Sequence, residues 1–255
     1  MAEIAERLGN LDALLHLLLE ERRERLTIPK DLKAKQQLMR ALMNVRMPLP
    51  ASEKLLRMQD RELQWQLEDK GIVKPTATGI QEWQGDITRL QVDAIVNAAN
   101  SEMLGCFIPL HNCIDNAIHS AAGIQLRLAC NELMKKQGRE EETGKGMITP
   151  AFNLPSEYVI HTVGPIIPDG KPTEEQEEQL RSCYRRCLEL ADQHHLQSIA
   201  FCCISTGVFR FPNQRAAEIA VETVRQFDKY SLKTIIFNTF KDEDHKIYRQ
   251  LLHED

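Results

Sequence analysis

The chain changes its hydrophobic period near residue 75, and that change limits the folds open to it. Before it, Leu8, Leu11, Leu15 and Leu18 recur at helical spacing, followed by Leu38, Leu42 and Val45 and then Leu56, Leu63 and Leu67. Prolines 29, 48 and 50 punctuate these runs, and Ser52 is placed to cap the third. About three helices packed as a small bundle are expected over 1–74, with "KGIVKPTATG" as the connection. After it, short apolar runs alternate with amphipathic stretches. "GIQEWQGDI", "VDAIVNAAN", "YVIHTVGP", "SIAFCCIS" and "KTIIFNTF" read as strands. "IDNAIHSAAGIQLRLACNELMKKQG" reads as a helix ending at Gly138, and "TEEQEEQLRSCYRRCLELADQHH", "RAAEIAVETVRQFDKY" and "KDEDHKIYRQLL" as three more. Such alternation predicts an α/β domain over 75–255, its mixed or mostly parallel sheet covered by helices on both faces. Ligands of such folds bind at the carboxyl ends of the strands.

Composition narrows the class. With 42% hydrophobic and 27% charged residues, the chain is neither disordered nor fibrous. A net charge of −5 argues against general nucleic-acid binding, but backbone N–H groups can still hold a compact anion. The acidic, amphipathic start lacks the basic and apolar regions of a signal peptide. The run "LLHLLL" is too short to span a bilayer. A cytoplasmic setting is expected. There, seven cysteines point to metal binding, catalysis or burial rather than to disulfides.

The densest chemistry lies in "LGCFIPLHNCIDNAIH", which holds Cys106, His111, Cys113, Asp115 and His119. It reads as a metal site, a redox thiol pair or a piece of core. His111 and Cys113 are two apart, so an extended chain presents both on one side. Two thiolates and an imidazole are the ligand count of a zinc site with an open fourth position. His119 follows Asp115 by four residues, on the same helical face. Elsewhere, "ISTGVFRFPNQ" places Ser205, Thr206, Gly207, Val208 and Phe209 at a strand-to-helix turn, where backbone N–H groups converge. Asp86, Asn97 and Asn100 sit at strand ends, where turn-making is the ordinary role. Arg210 stands beside the turn to meet a phosphate, an acidic partner or solvent. Cys130, Cys183, Cys187, Cys202, Cys203 and His161 read as core. His16 is expected at a core or boundary position, and Trp65 in packing.

Taken together, "QGDITRLQVDAIVNAANSEMLG", "IDNAIHSAAG", "YVIHTVGP" and "ISTGVFRFP", in this order, closely resemble the macrodomain family over about residues 75 to 255. The resemblance implies a three-layer α/β/α fold that binds ADP-ribose, here preceded by a helical region. It also implies roles. Asp86 and the Ile87 backbone would meet adenine, and Phe240 its face. Ser205 to Phe209 would cradle the diphosphate, and Asn100 would hold the ribose nearest the scissile bond. Asp115 matches the acidic residue of the hydrolase branch and His119 the histidine one turn later. In place of that branch's glycine run stands "CFIPLHNC", the mark of the zinc-containing bacterial and fungal branch, in which Cys106, His111 and Cys113 would hold one Zn2+. A zinc-dependent hydrolase removing mono-ADP-ribose from acidic side chains is the expectation. An ADP-ribose reader and a thiol redox sensor are the alternatives. The family further implies a sirtuin-type transferase and a lipoylated carrier protein as partners.

Overall fold

A computed structural model describes residues 2–253, with side chains from residue 4. Helices α1 (Ala2–Arg22), α2 (Leu32–Val45) and α3 (Glu53–Lys70) make up the first region. Ser52 Oγ accepts from the Leu55 N–H at 3.2 Å, so the sequence's proposed cap is real. Asp31 caps α2 in the same way at Ala34. Leu11, Leu14, Leu15, Leu18, Met39, Leu42, Leu55 and Leu63 form one apolar core among the three helices. The buried Glu62 takes a forked bond from Arg7 and one from Gln36, which ties all three together. Trp65 packs beneath the Arg61 guanidinium, 4.7 Å from its centroid. His16 departs from expectation: it is exposed, its Nδ1 2.7 Å from the Asp12 carbonyl. Leu14, Leu15, Leu18 and Leu19 bury without it.

The second region has six strands: β1 (Gly79–Gln84), β2 (Ala94–Ala99), β3 (Gly146–Pro150), β4 (Tyr158–Val163), β5 (Ser198–Phe201) and β6 (Thr234–Thr239). They run in the order β1-β6-β5-β2-β4-β3, all parallel except β3, which pairs antiparallel with β4. Central strands buried on both faces explain the unbroken apolar runs of β2, β4 and β6. Helices α4 (Ile114–Ala122) and α5 (Ile124–Gln137) pack on β2 and β3. Helices α6 (Glu174–Gln193), α7 (Asn213–Gln226) and α8 (Asp242–His253) pack side by side, with α6 against β3 and β4 and α8 against β1 and β6. Cys130, Cys183, Cys187 and Cys202 are core, as expected.

Two features of this second region differ from the sequence reading. The single helix expected over 114–138 is broken at Gly123, whose φ of +95 lies in the region that favours glycine. Strand β3 leaves no apolar run in the sequence because it is a half-exposed edge.

The two regions meet along a polar seam. Asp60 Oδ1 accepts from Gln59, Gln125 and Asn153 at 2.9, 2.8 and 2.7 Å. The buried Arg127 donates to the carbonyls of Met43, Asn44 and Arg46 at the end of α2. Ile124, from α5, completes the helical region's own core. Among the described residues, no helix is long and apolar enough to cross a membrane.

Candidate functional site

The parallel strands bring their carboxyl ends to one edge of the sheet, and a cleft of about 1350 Å³ opens there. Asp86 lines it after β1, Asn100 after β2, Gly164 after β4, Ser205 to Phe209 after β5, and Phe240 after β6. Cys106, His111, Cys113 and Asp115 line its other end, and Gln36, Met39, Arg40, Gln66 and Lys70 give it a wall from α2 and α3. Twelve residues singled out in separate motifs thus share one cavity. Two others stand apart from its lining. The Ile87 side chain is buried in the core, and the His119 ring lies behind Gly105, where a Cβ would come within 2.8 Å of it.

Asp86 Oδ1 accepts from the Thr88 N–H and hydroxyl at 3.0 and 2.6 Å, and Oδ2 meets Lys70 at 3.0 Å. Burial pushes its pKa up, but these partners outweigh burial and hold it below the ordinary carboxylate value. Phe240 is 76% exposed, a bare ring at the same end. Asn100 spends its side-chain oxygen on the Glu102 and Met103 N–H groups, leaving its amide nitrogen for a ligand. At the β5 turn, Ser205 has φ +65 and a buried hydroxyl without a partner. A Cβ on Gly164 would sit 2.0 Å from that hydroxyl, so glycine is required for the loop to seat this deeply.

The ligand atoms of Cys106, His111 and Cys113 lie within 4.8 Å of one another. The site suits a metal: His111 Nδ1 is buried with no hydrogen-bond partner. Cys113 also caps α4, its Sγ accepting from the Asn116 N–H at 3.4 Å. Burial still pushes the Cys113 thiol up to about 11 against that bond, so a metal entering here must displace a proton.

Asp115 sits in the first turn of α4, 5% exposed. Asn97 holds its Oδ1 at 2.8 Å, and the other Asn97 amide hydrogen goes to His161 Nδ1 at 3.2 Å. His161 Nε2 faces the Thr149 hydroxyl at 3.0 Å. This network assigns a neutral His161 with its proton on Nε2; burial lowers its pKa to about 4. Burial also pushes the Asp115 carboxyl up to about 6, against Asn97 and the positive Arg127. His119 Nε2 lies 3.5 Å from Asp115 Oδ1, and neither ring nitrogen has a hydrogen-bond partner. Burial, then His161 and Arg127, hold its pKa well below the ordinary value. His119, Cys130 and His161 form a second buried group of ligand type. Asn97 and His161 are the contributors that sequence reasoning passed over, as turn-maker and core residue.

Comparisons with known proteins agree with this fold. The Macro domain family model matches residues 96–220. A "Protein-ADP-ribose hydrolase" of Treponema medium is 51% identical over 236 residues, covering 88% of this chain and 90% of its own. One from Staphylococcus aureus is 46% identical over 259 residues and covers 97% of each. A Trypanosoma brucei macrodomain solved with ADP-ribose superposes with a TM-score of 0.59 at 37% identity, over 68% of each chain.

Proposed function

This chain belongs to the macrodomain family and is a protein ADP-ribosyl hydrolase, and from that premise we propose that it removes mono-ADP-ribose from acidic side chains with the help of one zinc ion. The observation that carries this reading is the placement of the Cys106, His111 and Cys113 donors beside a buried carboxylate, at the end of the cleft opposite Asp86.

The residues divide the work along the cleft. Asp86 and Phe240 take the adenine, with the Ile87 backbone beside them. The turn from Ser205 through Thr206, Gly207 and Val208 to Phe209 offers N–H groups to the diphosphate. The Asn100 amide nitrogen holds the ribose next to the bond that breaks. Asp115 is the general base. Asn97 occupies its Oδ1, which leaves Oδ2 to take a proton from water or a ribose hydroxyl. A carboxyl raised toward neutrality suits that task. His119 acts from behind, packed against Gly105 and facing Asp115. When bound, zinc held by two thiolates and one imidazole would orient and moderately polarise a hydroxyl or water. The acceptor is an ADP-ribosylated protein. A lipoylated carrier modified by a sirtuin-type transferase is the proposed natural one.

The test uses matched proteins ADP-ribosylated on acidic, arginine or serine side chains, with release of ADP-ribose as the readout. Turnover is expected on the acidic linkage and should fall after chelation and in Cys106→Ala. Unchanged turnover after verified metal removal would sink the zinc requirement. Release only from another linkage would sink the acidic one.

A further inference from the structure

The loop that carries Cys106 and His111 is not held by the α/β domain alone. Arg40, on α2, donates through Nη2 to the His111 carbonyl at 3.0 Å, and through Nη2 and Nε to Asn116 Oδ1 at 2.7 and 3.2 Å. Asn116 passes this on: its Nδ2 donates to the Ile108 carbonyl at 3.0 Å, and its N–H donates to Cys113 Sγ. One turn along α2, Asn44 Oδ1 accepts from the Leu110 N–H at 2.9 Å, and its Nδ2 donates to Ser120 Oγ. From below, Arg127 donates to the Leu104 carbonyl at 2.6 Å and lies over the Phe107 ring. Leu110 itself has φ +57, a conformation a leucine holds only when its surroundings impose it. A loop of bulky residues with no secondary structure is thus fixed at Leu104, Ile108, Leu110 and His111, two of these points directly from the first region.

We propose that Arg40 and Asn44 are positioning residues for the metal site, so that the helical region completes the catalytic loop instead of merely adjoining it. The inference rests on the metal reading given above. Partners that orient metal ligands typically change metal affinity by about 10- to 100-fold. Arg40 and Asn44 act through backbone, so the lower end of that range is expected.

The experiment compares the full-length protein with Arg40→Gln and Asn44→Ala. Zinc affinity is read by competition with a chromophoric chelator, and hydrogen exchange of the Leu110 amide is followed in metal-free samples. Zinc should bind about 10-fold more weakly in both variants. Leu110 exchange should accelerate in Asn44→Ala without metal, while thermal unfolding of metal-free Arg40→Gln stays near that of the parent. Equal zinc affinity in both folded variants, or unchanged Leu110 exchange, would overturn the proposal. A parent that binds no zinc would overturn the metal reading separately, and the exchange result then decides the clamp by itself. Should Asn44→Ala not fold, Arg40→Gln still decides the zinc comparison, and amide exchange at residues 110–112 in that variant replaces the Leu110 readout.

Discussion

Asp115 shows what a buried carboxyl costs the fold. An acid whose folded pKa is raised carries no penalty below its ordinary value and the full penalty above the folded one. For Asp115 that window runs up to about 6. Asp115→Asn in metal-free protein should therefore gain up to about 3 kcal/mol of stability near pH 8 and nothing below about pH 4. Urea titration at the two pH values checks this; an equal gain at both would refute it. Asn97→Ala should lower kcat on the order of 100-fold with little change in KM, because it releases the carboxylate without touching nucleotide contacts. Steady-state kinetics separate the two. At this scale the sequence is legible where partners are close in the chain. That Cys106, His111 and Cys113 gather in one place can be read from spacing. The Asn97, Asp115 and His161 network cannot, since its members are 18 and 64 residues apart and meet only after β2, β4 and α4 assemble.

At the scale of elements, the alternating pattern located five of the six strands, because buried parallel strands write themselves as apolar runs. The edge strand β3 has no such constraint and left no such mark. The pattern also runs straight through Gly123, since α4 and α5 are both built of helix-forming residues and only the glycine's conformation separates them. Gly123→Ala tests that break. Its Cβ would meet the Gln59 amide nitrogen at 2.6 Å in a backbone conformation unfavourable to alanine. A loss of about 1–3 kcal/mol is expected, visible as a lower melting temperature. The break matters because it frees α4 to aim its first turn, with Cys113 and Asp115, into the cleft.

For the whole molecule, the sequence divided the chain at residue 74 but was silent on how the parts join. The join depends on single polar atoms far apart in the chain, such as Asp60 Oδ1 with its three donors. Asp60→Ala takes the acceptor from Gln125 Nε2 and from one hydrogen each of Gln59 and Asn153, which keep Gln125 Oε1 and the Ala122 carbonyl, and should cost about 1–3 kcal/mol. In urea, the helical region should then lose structure ahead of the sheet, followed by Trp65 fluorescence in a Trp83→Phe background against far-ultraviolet dichroism. Coincident transitions with an unchanged midpoint would show that the seam is held elsewhere. The cleft adds one more term to this join. Its walls belong to two separate apolar cores, so a nucleotide lying in it works as a rivet between them. In the Asp60→Ala protein, saturating ADP-ribose should draw the two transitions back together. The product of the reaction is then also the molecule's fastener, and the enzyme is loosest in the moment after it lets go.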